Sequence, residues 1–259
     1  MDLILDAGNS RIDGGLFADD SCIFRFELDS RHNWTGDELG ISLRQLLREG
    51  GHDPKTVRHV GLCSVTALSD PLREATQRWF GTHAFVVSAD GPSGLRFDYH
   101  DARQLGADRI ANAVAARHLH PGRDLLIVDA GTATTVDAVS ADGVHLGGAI
   151  LPGIGLWAQV LRERTAALPL VTVAAAPEPV GRSTRDNIAS GLYFGHLGAI
   201  RELTTRIGQA AFGADARPFI LGSGGAATLF AEAGVFDAID PDLTLAGTRL
   251  LLRRSLSTE

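Results

Sequence analysis

Apolar runs of strand length alternate along the first third of the chain with small polar turns, and then with stretches of helical period. Residues 3–6, 11–17 and 22–28 read as three strands joined by the turns "GNS" and "ADDS". "GDELGISLRQLLREGG" sets Leu39, Leu43, Leu46 and Leu47 at helical spacing and ends on Gly50-Gly51, a helix with a glycine stop. "HVGLCSV" (59–65) reads as a buried strand and "AFVVS" (84–88) as another. Between them "DPLREATQRWF" (70–80) predicts a helix capped by Asp70 with Pro71 at its first position. The predicted order is βββαβαβ.

The second half opens the same way. "DLLIVDAGTATTVDAVSADGVHLGGAIL" predicts a strand, a small-residue turn, a second strand, a hairpin at Ala141-Asp142-Gly143 and a third strand. Helical patterns follow at about 154–165 and 184–208. A strand at 218–223, a helix opened by glycine at 225–233 and a C-terminal helix from about 243 complete the chain. Aligning "LILDAGNSRIDGGLF" on "LIVDAGTATTVDAVS" puts Asp6 on Asp129 and Gly8 on Gly131, so the Asp-Ala-Gly triplet recurs whole. An internal duplication predicts two related domains, residues 1–118 and 119–259.

Composition narrows the classes. At 259 residues, 44% hydrophobic and 21% charged, the chain has material for a sizeable core. No apolar run approaches the length of a bilayer span, and the N-terminus lacks the basic region of a secretory signal. The formal charge of −7 argues against a nucleic-acid partner. Cys22 and Cys63 are the only cysteines; they read as packing residues of a protein in a reducing compartment. Lys55, the only lysine, stands in "HDPKTV", outside any P-loop setting, so phosphate would have to be handled by another route. The nine histidines form no cluster read as a transition-metal site.

A strand that ends in Asp-x-Gly before a polar turn is a phosphate and cation device. Gly8 and Gly131 let backbone approach a ligand closely. Backbone N–H groups with Asn9, Ser10, Thr132, Thr134 and Thr135 can donate to phosphate oxygens, while the carboxylate binds a cation directly or through water. Two such turns, facing one another, would clasp a nucleotide's phosphates. In "DYHDARQLGADRIANAVAARHL" (98–119), "GADR" falls in the first turn of an alanine-rich helix, where spare N–H donors favour anions. Asp108 there is either a capping carboxylate or a general base for a substrate hydroxyl, with Arg109 steadying phosphate charge.

With those residues assembled, the chain resembles the type III pantothenate kinase family of the acetate/sugar kinase–Hsp70–actin superfamily. The likeness runs nearly end to end. It rests on "DAGNSRID" (6–13), "GLRFDYHDARQLGADR" (94–109), "DAGTATTVD" (129–137), "GGAILPG" (147–153), "GRSTRDNIASGLYFG" (181–195), "GSGGAA" (222–227) and "PDLTLAGTRLL" (241–251). The resemblance implies an α/β kinase of two duplicated RNase H-like, actin-like ATPase domains that transfers the γ-phosphoryl of ATP to pantothenate, the first step of coenzyme A biosynthesis.

By the same resemblance, Asp6, Ala7, Gly8, Asn9, Ser10, Arg11, Ile12, Asp13 and Thr132 contact ATP. Asp108 is the general base, and Tyr99, Gly106, Ala107, Asp108, Arg109 and Thr184 hold pantothenate. Asp129 binds a monovalent cation, K⁺ or NH₄⁺, and Asp6 helps position Mg²⁺ through water. A cytoplasmic homodimer is implied, with neither nucleic acid nor membrane as partner. Asp13 stands where many members carry lysine; it either faces the triphosphate or points away by strand alternation. Ala102 and Ser223 replace a usual proline and threonine. The alternative reading is a non-catalytic, ligand-binding regulator on the same fold.

Overall fold

The computed structural model describes residues 1–19, 21–175 and 178–257, so Asp20 of the predicted "ADDS" turn lies outside the described residues. In chain order the elements are β1 (Asp2–Ala7), β2 (Arg11–Ala18), β3 (Ser21–Asp29), α1 (Gly36–Glu49), β4 (His59–Ser64), α2 (Ser69–Phe80), β5 (Ala84–Val86), β6 (Arg96–Phe97) and α3 (Ala107–Leu119). There follow β7 (Leu125–Ala130), β8 (Ala133–Val139), β9 (Val144–Pro152), α4 (Ile154–Arg164), α5 (Thr184–Phe212), β10 (Phe219–Ser223), β11 (Ala238–Ile239) and α6 (Leu243–Leu256).

The long elements fall where the periodicity puts them, and the differences have local causes. Helix α2 starts at Ser69, with Leu68 as an N-cap that makes no side-chain cap bond, so Asp70 sits in the first turn instead of capping it. Thr66 Oγ1 accepts the Leu68 N–H at 3.2 Å and starts the helix early. The glycine-opened helix at 225–233 is a 3₁₀ helix over Ala227–Ala233. Strands β6 and β11 have two residues each, too few for a pattern to show.

The chain divides into two compact units. One holds residues 1–94, 101–115 and the segment from Leu243 onward; the other holds 95–100 and 116–242. A single cut at 118/119 would leave α6 with the second unit, whereas it returns to the first.

The first unit carries a five-stranded sheet ordered β3-β2-β1-β4-β5, antiparallel from β3 to β1 and parallel from β1 to β5. Strand β1 is buried along both faces because both are covered. Leu3, Leu5 and Ala7 pack with Leu39, Leu43 and Leu47 of α1 and Leu72 of α2. Ile4, on the other face, packs with Leu245 and Leu252 of α6. Each such fully buried leucine or isoleucine contributes about 1.5–3 kcal/mol.

In the second unit the six-stranded sheet is ordered β11-β10-β7-β8-β9-β6. Its β9-β8-β7-β10-β11 portion repeats the first sheet's strand order and senses, which is the duplication seen in the sequence. Val128 and Val136 on one face meet Ile154 and Ala158 of α4 and Ile188, Leu192 and Ile200 of α5. The opposite face therefore carries Asp129, Thr135 and Asp137 by alternation.

Candidate functional site

In the first unit, the apolar run of β1 stops at Asp6, on the face that Ile4 presents to α6. Register sets its neighbours. Asp6 is paired with Asp13 on β2 and with Cys63 on β4, so two carboxylates and a thiol lie side by side across three strands. Asp13 therefore shares the face of Asp6, which decides the question of where it points. Its charge is met locally: Arg11 Nε lies 3.6 Å from Asp13 Oδ2, and Arg11 Nη1 is 3.4 Å from Glu27 Oε1. The turn between β1 and β2 is closed by the Gly8 N–H donating to the Arg11 carbonyl at 2.9 Å, and it exposes Asn9 and Ser10.

Asp108 approaches the same place from α3. Its Oδ1 accepts the Arg109 N–H at 2.8 Å and folds back over Gly106, where a Cβ would sit 2.4 Å from that oxygen. Position 106 is glycine because the carboxylate occupies the side-chain space. Arg109 is buried, and Asn112 one turn on accepts the Thr244 hydroxyl of α6 at 2.8 Å. Helices α3 and α6 touch backbone to backbone: a Cβ on Gly247 would lie 1.9 Å from the Ala111 carbonyl oxygen. The following residue, Thr248, is within hydrogen-bonding reach of Cys63.

The Cys63 thiol reports how close these groups come. Burial pushes it well up, and the charges of Asp6 and Asp108, with a hydrogen bond to Asp6, push further the same way. A strand-end carboxylate and a helix-start carboxylate thus both act on one buried sulfur. Cys63 is a site residue that sequence reasoning passed over as packing; only its register with Asp6 marks it.

The second unit repeats the device with differences. Ser223 of β10 is in register with Asp129, as Cys63 is with Asp6, and its buried hydroxyl has no hydrogen-bond partner among the described residues. The turn after β7 is one residue shorter, closed by the Gly131 N–H to the Ala133 carbonyl at 3.0 Å. Two glycines press on it. A Cβ at Gly224, whose φ is +79°, would lie 2.3 Å from Asp129 Oδ1 and 2.8 Å from the Ala130 carbonyl oxygen. At Gly153 it would lie 2.3 Å from the Gly131 oxygen and 2.5 Å from that of Thr132. The "DAGTATTVD", "GGAILPG" and "GSGGAA" segments therefore converge on one oxygen-rich turn.

Thr134 points to the other face. Its hydroxyl pairs with His196 Nε2 on α5 at 3.0 Å, and burial lowers the His196 imidazole from its ordinary value. Thr184 opens α5 after the Ser183 N-cap and lines an apolar cavity of about 710 Å³ with Trp157, Leu161, Asn187, Ile188 and Leu192. Tyr99 follows β6, its ring centroid 6.2 Å from that of His145 on β9. The structure thus groups Asp6, Asp13, Gly106, Asp108 and Arg109 in the first unit. Asp129 and Thr132 meet at one turn of the second, while Tyr99 and Thr184 are carried by separate elements of that unit.

Comparison with known proteins bears on this arrangement. The sequence profile of the type III pantothenate kinase family matches residues 2–206. A type III pantothenate kinase of Legionella pneumophila (strain Corby) is 45% identical over 251 residues, 96% of this chain and 97% of the relative. One from Elusimicrobium minutum is 39% identical over 258 residues, 99% of this chain and 100% of the relative. Among solved structures, AMPPNP-bound MreB 5 of Spiroplasma citri superposes with a TM-score of 0.57 at 11% identity, covering 99% of this chain and 97% of that one. The ROK hexokinase of Thermus thermophilus superposes with a TM-score of 0.51 at 13% identity, over 99% of each chain. At these identities the structures establish the fold alone, that of actin-like ATPases and sugar kinases.

Proposed function

As the chain belongs to the type III pantothenate kinase family, we propose that Asp108 is its general base and that Asp6 and Asp129 serve its cations. The activity is that of the family: transfer of the γ-phosphoryl of ATP to pantothenate, giving 4′-phosphopantothenate and ADP. The observation that carries the assignment of Asp108 is the fold-back of its carboxylate over Gly106 at the start of α3, in the unit where Asp6 ends β1 beside Cys63.

In this reading the Asp108 carboxylate takes the proton of the substrate hydroxyl as its oxygen bonds to the γ-phosphorus and the β–γ bridging oxygen leaves with ADP. Arg109 and the first N–H groups of α3 offset charge on the transferring group. Residues 6–13 and Thr132 contact ATP through backbone N–H groups and the Asn9 and Ser10 side chains. Arg11 neutralises Asp13, so a carboxylate in place of lysine is tolerated beside phosphate. Tyr99, Gly106, Ala107 and Thr184 contact pantothenate.

Among the described residues no group of three His, Cys, Asp or Glu side chains forms a ready-made metal site. That fits Mg²⁺ arriving on ATP, which needs one or two carboxylates beside the phosphates and keeps its waters; Asp6 is the residue to hold it. For K⁺ or NH₄⁺ the donor set is hard oxygen: the Asp129 carboxylate, the carbonyls around Gly131 and the unpartnered Ser223 hydroxyl. When bound, such cations offset charge accumulating on the phosphates.

A homodimer agrees with the exposed Val160 at the rim of the apolar cavity in the second unit. No helix among the described residues is long and apolar enough to cross a membrane, and we place the reaction in the cytoplasm. The test is ADP release from ATP with and without pantothenate, in potassium and in sodium. Release that needs pantothenate and potassium and is lost in Asp108→Asn supports the reading. Folded protein that binds ATP but releases no ADP would point to the regulator instead.

A further inference from the structure

Asp137 and His145 are the least expected residues of the second sheet. Neighbouring strands β8 and β9 bring His145 Nε2 to 3.1 Å from Asp137 Oδ1, with the side chains 0% and 2% exposed. Burying such a pair is costly unless its geometry is used. It lies on the face that carries Asp129, opposite α4 and α5. The ring is oriented from both sides. The Gly147 N–H donates to Nδ1 at 3.3 Å, which leaves the proton on Nε2, toward the carboxylate. That approach is out of line with the ring N–H, so Asp137 braces the imidazole by close polar contact and not by an aligned hydrogen bond.

What the ring then touches is the segment from Leu95 to His100. Strand β6 pairs in parallel with β9, Phe97 opposite His145, and the Asp98 N–H donates to the His145 carbonyl at 2.9 Å. The rings of Phe97 and Tyr99 both stand 6.2 Å from the imidazole, Tyr99 edge-on at 68°. A register irregularity between Ala138 and Val139 and the left-handed Gly147, φ +100°, shape β9 at this point; the Cβ position at Gly147 lies 3.9 Å from Tyr99 Cε2. A two-residue strand cannot hold a tyrosine by its own ladder. His145 supplies both the backbone acceptor and the packing surface.

We propose that Asp137 and His145 are positioning residues for pantothenate, acting through Tyr99. The inference rests on the reading of Tyr99 as a substrate contact and adds what aims it. His145→Gln keeps a donor toward Asp137 and so keeps the buried carboxylate partnered, while it removes the ring. It is expected to unfold near the wild-type temperature and to raise KM for pantothenate at least 5-fold, with KM for ATP within 2-fold. Asp137→Ala, which removes the side chain beside the ring, is expected to behave as His145→Gln.

The double variant Tyr99→Ala/His145→Gln separates this from a general structural role: its pantothenate KM is expected to equal that of Tyr99→Ala alone. If Tyr99→Ala raises that KM but His145→Gln does not, or raises both KM values equally, or adds to Tyr99→Ala multiplicatively, the positioning role is overturned and Tyr99 keeps its own. If Tyr99→Ala leaves pantothenate KM unchanged, the reading beneath it falls as well.

Discussion

Gly106→Ala tests the placement of the proposed base without touching it. The added Cβ would sit 2.4 Å from Asp108 Oδ1, where ordinary contact begins at 3.4 Å, so the carboxylate must move by about 1 Å. The backbone at 106 is not in a left-handed conformation, and the clash is with the end of a side chain, so the fold can absorb the change. What is put at risk is the charge-assisted bond from the Arg109 N–H, worth about 1.5–3 kcal/mol. Alanine returns about 0.4–1 kcal/mol by restricting the unfolded chain. The net loss of about 1 kcal/mol corresponds to a Tm drop of roughly 2–4 °C.

Catalysis should suffer more, because a 1 Å displacement of a reacting group costs about 10²-fold, or ~2.7 kcal/mol of barrier. A coupled ADP assay at saturating ATP and pantothenate, beside a thermal melt, measures both. The expected result is kcat down about 100-fold with a small Tm shift. A kcat within 2-fold of wild type would show that Asp108 can move freely and still work. A large fall in Tm together with kcat would show that Gly106 serves the fold, and the argument from carboxylate placement would fail.

Four further outcomes follow from individual contacts. Of the two thiols, exposed Cys22 should react with a thiol reagent in the native protein while Cys63 stays unmodified until denaturant is added; two fast-reacting thiols would contradict its burial. Because burial lowers the His196 imidazole, the unfolded chain binds a proton that the folded one resists. His196 therefore supports stability fully above pH 6.5 and loses that support as pH falls through its lowered value. His196→Gln should flatten stability against pH between 7 and 5; an unchanged slope would assign the dependence elsewhere.

Asp2 is fully buried, with Arg253 Nε at 2.6 Å, His59 Nδ1 at 3.2 Å and Arg249 Nε at 3.5 Å. Asp2→Asn should cost about 3 kcal/mol, the low end for breaking a buried pair because Arg253 is half open to water. A urea melt showing less than about 1 kcal/mol would mean the cluster is not a clamp on α6. Asp129→Asn should raise the potassium concentration for half-maximal activity at least tenfold; an unchanged potassium dependence would move the cation site away from Asp129.

Much of the fold was legible because its signals are local. The Asp-Ala-Gly triplets, the βββαβαβ order and the helical faces of α1 and α5 are written in periods of two and of three to four residues. The candidate site was legible at its strand ends and at the start of α3, where residue type and backbone geometry are coupled within a few positions. Cys63, Ser223, Asp137 and His145 were not, since their meaning comes from the strand beside them. Asp70 misled for a related reason: Thr66 takes the Leu68 N–H, and that bond outweighs the helix-start pattern of Asp70-Pro71.

The amino-acid sequence by itself determined that β1 ends on a carboxylate before a glycine turn and that the same device recurs 123 residues later, at Asp129. Tertiary structure alone decided that Asp13, Asp6 and Cys63 stand in one row, that Asp108 folds back over Gly106 at the start of α3, and that α6 returns to the first unit to press Gly247 on α3. The division is one of range. A turn or a helix stop is set by the energies of neighbouring residues, whereas strand register and the docking of a distant helix depend on which buried faces the whole chain brings together.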